Sequence, residues 1–194
     1  MKLYKYDNYQ QYVEAQTEAN VRKINHIWVH ESTIKQIHQI KNSADIILCH
    51  GTRNATEQKL FKQYFPNASI LGTEISHTAS KFDMTIQHDF HEELESHINK
   101  CDIVYSNSFD HSYDPEKSLR TWLNQLNSNG YMFLELMTRG ISKKSDPLYI
   151  SPLELEEMVV TIGGQVVSQL NVKGDSTGGL RGEDRSTILM VIKK

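Results

Sequence analysis

An α/β fold, with a mainly parallel sheet covered by helices on both faces, is what this sequence predicts, on three observations. Ile46, Ile47, Leu48 and Cys49 form an unbroken apolar run, the pattern of a strand buried on both sides, and Gly51 then turns the chain into a helical pattern. Strand-like and helix-like segments alternate four times before the last two segments, as in a sheet of parallel strands joined by crossover helices. Those last two, Gln165 to Val172 and Ser186 to Ile192, are β-rich with no helix between them, so the last of seven strands returns antiparallel.

Taken in order, Asp7 to about Trp28 reads as a helix on Tyr9, Tyr12, Val13, Ile24 and Ile27. A second helix starts at a Ser32 cap and carries Ile34, Ile37 and Ile40 on one face. Residues 1–42 thus form a helical cap region before the core of residues 43–194, all within a single domain. After the Gly51 turn, Asn54 and Thr56 are good N-cap types, and Leu60, Phe61, Tyr64 and Phe65 recur at helical spacing until Pro66. Ser69 to Glu74 is a second strand closing on an acid. Thr85 to Gln87 is a minor strand leading to Asp89, and His91 to Asn99 is a polar helix or loop. Asp102 to Ser106 is the next strong strand, and Pro115 opens a helix with Leu119, Trp122, Leu123 and Leu126 on its apolar face. The pair Asn129-Gly130 turns the chain into the strand Tyr131 to Leu136. Ser151 and Pro152 start a helix bearing Leu153, Leu155, Met158 and Val159, closed by Gly163-Gly164. The glycine-rich stretch Lys173 to Arg185 leaves the sheet at the edge where parallel strands end. It is a candidate lid, with Arg181 or Arg185 meeting an acidic acceptor.

The chain of 194 residues is long enough to bury a core without disulfide or metal support. A net charge of -3 leaves no footprint for nucleic acid phosphates. No stretch reaches the length of a membrane span, and the start MKLYKYDNYQ is too polar for a secretory signal. The expected setting is therefore cytoplasmic and the expected partner a small molecule, without a membrane. Cys49 and Cys101 read as small core residues rather than a disulfide. Among the nine histidines the closest metal-like cluster is His88, Asp89 and His91, but zinc sites show a tight ligand set and no metal is expected. A homodimer is compatible with the sequence, which carries no signal for oligomeric state.

A strand that enters a helix through a glycine turn aims backbone N–H groups and the helix dipole at whatever lies above it, a place for the anionic or hydroxylated part of a ligand. The stretches ILCHGTRNATE, ILGTEIS, IQHDF and DIVYSNSFDHSYDPEKSLRTWLNQLNSNGYMFLE, in that order, resemble the class I S-adenosylmethionine-dependent methyltransferases. The resemblance covers roughly Ser43 to the C-terminus, including the closing strand, loop and strand that dehydrogenase-type Rossmann domains lack. It implies a Rossmann-like methyltransferase fold, S-adenosyl-L-methionine as cofactor, and in-line transfer of its methyl to a small-molecule acceptor. The alternative is a non-catalytic protein of the same fold that holds S-adenosylmethionine or S-adenosylhomocysteine. Arg53 and Ala55 depart from the family loop, where glycines commonly stand, and SNSF stands in place of the Asn-Pro-Pro-aromatic motif used on DNA and protein amides.

Within that resemblance the expected cofactor-binding residues are Gly51, Arg53, Glu74, Ile75, Asp89, Phe90 and Asn107. Glu74 takes the ribose hydroxyls, or is simply an exposed acid at a strand end. Asp89 takes the adenine amino group, with Phe90 or Ile75 against the base, or else caps the segment after it. Asn107 contacts the methionine moiety. Arg53 either pairs with the cofactor's carboxylate or else reaches solvent or salt-bridges Glu57 across one helical turn. Methyl transfer needs alignment and, for a hydroxyl or amine acceptor, removal of a proton. His111 is the expected general base, with Asp110 orienting it or binding substrate, unless the histidine only packs under its loop. Tyr4, Tyr6, Tyr9 and Tyr12 are either part of a substrate lid or half-buried packing.

Overall fold

Both faces of the run at Ile46–His50 are covered, and that puts this strand at the centre of the sheet. The structure, a computed structural model, describes residues 1–137, 140–175 and 186–194. Its elements are β1 (Lys2–Leu3), α1 (Tyr9–Arg22), α2 (Glu31–Ile40), β2 (Ile46–His50), α3 (Thr56–Tyr64), β3 (Ser69–Glu74), β4 (Thr85–Gln87) and β5 (Cys101–Ser106). There follow α4 (Pro115–Gln125), β6 (Leu126–Met137), β7 (Leu148–Tyr149), α5 (Pro152–Thr161), β8 (Gln165–Lys173) and β9 (Ser186–Lys193). Seven strands make one sheet in the order β4-β3-β2-β5-β6-β9-β8, while β1 and β7 form a separate antiparallel pair. The first five strands of that sheet are parallel, and β9 runs antiparallel between β6 and β8.

Alternate residues of each central strand feed two different cores, which is why the apolar runs are unbroken. Leu48, Val104, Met132, Leu134 and Met190 pack under Leu119 and Trp122 of α4 and Leu155 and Val159 of α5. Ile47, Cys49, Ile103, Phe133 and Val191 pack under Ile34 and Ile37 of α2 and Leu60 and Phe61 of α3. Burial of one such side chain contributes about 1.5–3 kcal/mol, so the two layers fix the sheet and with it the edge where its parallel strands end. Among the described residues no helix is long and apolar enough to cross a membrane.

Local details differ from the sequence reading where tertiary contacts decide them. The first helix ends at Arg22 rather than near Trp28, its start capped by Asn8, whose side chain accepts from the Gln11 N–H. Ser32 is not the cap of α2; His30 is, and Ser32 instead binds across to β8 and beyond, donating to Lys173 O and accepting nothing from its own helix. The backbone N–H of Ser32 goes to Asp175. Neither Asn54 nor Thr56 caps α3, because Ala55 occupies that position in a left-handed conformation. Asn129-Gly130 is no turn between helix and strand: β6 begins at Leu126, opposite Cys101, and runs through the pair with an irregularity in register. Arg181 and Arg185, with most of the proposed lid, lie outside the described residues.

Candidate functional site

At the end of β2 the chain must leave the sheet at once, and Gly51 does so at φ 73. A Cβ on Gly51 would also meet the Ser108 Cβ at 2.6 Å, so this backbone and the one leaving β5 touch. Arg53 at φ 39 and Ala55 at φ 61 are left-handed without being glycine, a strain on the order of 1–3 kcal/mol each that gathers in this turn. The first three N–H groups of the turn are not left open to a ligand as the sequence reading expects. Gly51 and Thr52 donate to Thr73 O at 2.9 and 3.1 Å, and Arg53 donates to the Glu74 carboxylate at 3.1 Å. The end of β3 lies within reach and takes them.

Glu74 is buried, its other oxygen accepting from the Ser76 N–H at 3.0 Å, and each carboxylate oxygen keeps a further lone pair. It faces a narrow cleft of about 40 Å³, walled by Gly51, Arg53, Ile75, Phe90 and Ser108 and roofed by Tyr12, Gln16 and Asn20 of α1. Asn20 is buried; its Oδ1 accepts from the Thr78 hydroxyl at 2.7 Å, and its Nδ2 has no partner. Beside this cleft opens a wider cavity of about 350 Å³ that shares Gly51, Arg53, Ser108 and His111 with it. Glu57, Asn107, Asp110 and Asp146 give this cavity polar walls, and Lys23 and Lys143 give it cations. Trp28, Leu136, Ile141, Leu148, Tyr149 and Ile150 give it an apolar side.

Arg53 stands where the two spaces meet. Burial pulls its pKa down while Glu57, Glu74, Asp110 and Asp146 push the other way. Its guanidinium lies 6.0 Å from the Trp28 ring centroid, its Nε has no partner, and no ion pair to Glu57 forms. Burial raises the pKa of Glu57 to about 7; one oxygen accepts from Asn107 Nδ2 at 3.3 Å and the other has no partner. Burial likewise raises Asp110, helped by Asp146. Burial opposes ionisation of Asp146 too, but Lys143, His111 and Lys23 outweigh it and hold its pKa below the ordinary value. His111 Nδ1 sits 2.8 Å from Gln16 Oε1, while its Nε2 faces Asp110 and Asp146 at 3.8 Å each.

Asp89 lines neither space. Its carboxylate accepts from the Tyr9 hydroxyl at 2.9 Å, from the His91 N–H at 3.0 Å and from His91 Nδ1 at 2.7 Å. His91 Nε2 in turn lies 2.9 Å from Ser112 Oγ, which gives the three residues the spacing of a nucleophilic triad. His91 and Ser112 are fully buried and Ser112 lines neither space, so the arrangement braces the loop after β4 against α1 and α4. His88, the third member of the metal-like cluster, bonds to Glu92 O instead.

The sequence reading thus brings Gly51, Arg53, Asn107, Asp110 and His111 to the cavity and Glu74, Ile75 and Phe90 to the cleft. It misses Lys23 and Trp28, which lie between α1 and α2, and Lys143 and Asp146, which precede β7; only the folded chain brings these two segments to one wall, and none of the four carries a local signal. Glu57 enters the sequence reading only as a salt-bridge partner for Arg53, not as a site residue.

No family model and no curated protein sequence matches the chain. Among solved structures, a 1,6-didemethyltoxoflavin-N1-methyltransferase of Burkholderia thailandensis, with 1,6-didemethyltoxoflavin and S-adenosylhomocysteine bound, superposes with a TM-score of 0.74 at 12% identity, covering 98% of this chain and 92% of that one. A SAM-dependent methyltransferase of Thermotoga maritima covers 96% of this chain and 100% of its own, with a TM-score of 0.62 at 14% identity. The cyclase SpnF covers 100% and 98%, with a TM-score of 0.70 at 11% identity.

Proposed function

From a chain with the class I S-adenosylmethionine-dependent methyltransferase fold, we propose that the site is that of a methyltransferase using S-adenosyl-L-methionine on a small-molecule acceptor. The observation that carries this reading is the junction of two spaces at Gly51 and Arg53, one narrow and one wide, on the edge where the parallel strands end. The fold alone would not, since SpnF is a cyclase by its description.

The residues fit the cofactor. Glu74 offers acceptor lone pairs and Asn20 an unpartnered donor in the cleft, as a ribose requires, while Phe90 and Ile75 supply apolar walls. The Arg53 guanidinium, with no ionic partner of its own, suits the carboxylate of the cofactor's amino-acid end, and Asn107 stands beside it. The bound cofactor supplies an electrophilic methyl on a sulfonium. What this chain supplies is alignment: the touching backbones at Gly51 and Ser108 set how closely the two spaces approach. Asp110 and His111 receive the acceptor in the wide cavity. Glu57, buried and titrating at about 7, accepts a proton at its unpartnered oxygen when the acceptor is a hydroxyl or amine.

Calorimetric titration with S-adenosylmethionine and S-adenosylhomocysteine tests this reading. Saturable binding is expected, weakened roughly tenfold or more in Glu74→Gln and Arg53→Ala, as for loss of a charge-assisted hydrogen bond. Absence of binding in the wild-type protein overturns the proposal. A methyl-release assay on a metabolite panel then separates the enzyme from a protein that holds the cofactor without catalysis.

A further inference from the structure

We propose that Asp110, His111 and Asp146 form a binding site for a divalent first-row metal ion on the wall of the wide cavity. One ligand atom from each lies within 4.8 Å of the others, and His111 Nε2 is 3.8 Å from an oxygen of each aspartate.

The state of His111 follows from its neighbours. Gln16 Nε2 lies 3.4 Å from Ser145 O, which can only accept, and this orientation of the amide turns its oxygen to His111 at 2.8 Å. His111 Nδ1 therefore carries the proton that makes this bond, and Nε2 is the atom turned to the two carboxylates. A metal-bound histidine shows this arrangement, with its far nitrogen fixed by a hydrogen-bonded partner. Asp146 is held from behind as well: Lys143 Nζ at 2.7 Å and Ser145 Oγ at 3.1 Å take its Oδ2, leaving Oδ1 toward His111.

Two kinds of cation suit a nitrogen flanked by two carboxylates, a proton on Nε2 or a metal ion between all three. The spacing favours the metal. An N–H···O hydrogen bond spans about 2.7–3.2 Å, so at 3.8 Å a proton on Nε2 bonds to neither aspartate. Ligand atoms placed about 2.1–2.3 Å from one cation are about 3.0–3.3 Å apart when adjacent and about 4.2–4.6 Å when opposite, and the 3.8 Å from Nε2 to each aspartate falls between these two values. One nitrogen with two carboxylates selects ions of the manganese, iron or zinc kind over calcium. Glu57, less than a tenth exposed and beside Arg53, adds a further carboxylate to the residues lining this cavity. The open side of the cavity leaves coordination positions for water or for an acceptor oxygen.

The test is Mn2+ uptake by chelator-treated full-length protein without any methyl donor, read from the spectrum of free Mn2+ by electron paramagnetic resonance. One saturable site is expected, lost in Asp146→Asn and in Asp110→Asn, weakened roughly 10–100-fold in Gln16→Ala, and retained in Glu116→Gln at an exposed surface pair. Circular dichroism verifies that each variant folds, and either aspartate variant alone suffices. No saturable uptake by the wild-type protein, or uptake undiminished in a folded aspartate variant, overturns the site. Because no methyl donor is present, this failure is distinct from failure of the proposed function, which calorimetry with S-adenosylmethionine reads separately.

Discussion

Gly51 is the residue whose replacement separates backbone geometry from chemistry most cleanly. Alanine there meets both a left-handed φ and a Ser108 Cβ at 2.6 Å, neither of which a flexible side chain can relieve. Gly51→Ala is expected to cost about 1–3 kcal/mol in denaturant unfolding and to abolish cofactor binding in the same protein. Glu57 carries a second prediction, through pH. Its folded pKa of about 7 lies above the ordinary 4.5, so the folded state keeps a proton that the unfolded state has already lost. Stability from this source is fully present below about 4.5 and is lost as pH rises through about 7. Gln mimics the protonated form, so Glu57→Gln matches the wild-type protein near pH 4.5 and exceeds it at pH 8, by at most on the order of 3 kcal/mol. Thermal melts across that range check it, and equal melting points at pH 8 refute it. Glu74 and Gly51 were legible in the sequence because a strand end and a turn announce themselves locally. Asp146, Lys23 and Trp28 were not, because only folding brings the start of the chain and the loop before α5 to the same wall.

Helix α1 is the element on which access to the cleft depends. The cleft is narrow under α1, about 40 Å³, so an adenosyl group is expected to enter it as α1 shifts. Side-chain bonds hold the helix down, among them Tyr9 to Asp89, Thr78 to Asn20, and Gln16 to His111 and to Ser145 O. Tyr9→Phe removes the first, worth about 1 kcal/mol, and is expected to speed hydrogen exchange of α1 amides roughly fivefold and to raise the association rate of S-adenosylmethionine. Unchanged exchange in α1 would show that the cleft opens elsewhere. The tyrosine-rich start, read from sequence as lid or packing, is in part this clasp. The seven strands of the main sheet were legible, the central ones because burial on both faces leaves apolar runs that local context cannot disguise, whereas the two-residue strands β1 and β7 carry no such run and were not. Helix starts were less so. His30 and Ala55 hold cap positions without a capping side chain, because contacts to Asp175 and to the turn after β2 override local preference.

At the scale of the molecule, the last strand in sequence is an interior strand in space. β9 lies between β6 and β8, so β8 reaches the sheet only through residues that come after it. Leu189, Met190, Val191 and Ile192 are all buried, two in each core layer. At about 1.5–3 kcal/mol each, their loss removes on the order of 6–12 kcal/mol, comparable to the whole stability of a domain at about 5–15 kcal/mol. A chain ending before Ser186 should therefore not fold, even though the turn after β2 and both walls of the site lie upstream. Removal of Met1 to Leu3, by contrast, deletes only a two-residue strand of a separate pair. That shorter loss is expected to lower the melting temperature by a few degrees while loosening the wall that carries Asp146 and Tyr149. Circular dichroism and limited proteolysis of the two truncations decide it. A folded C-terminal truncation would mean that β6 closes the sheet without β9, and the two-layer account of the core would fail with it.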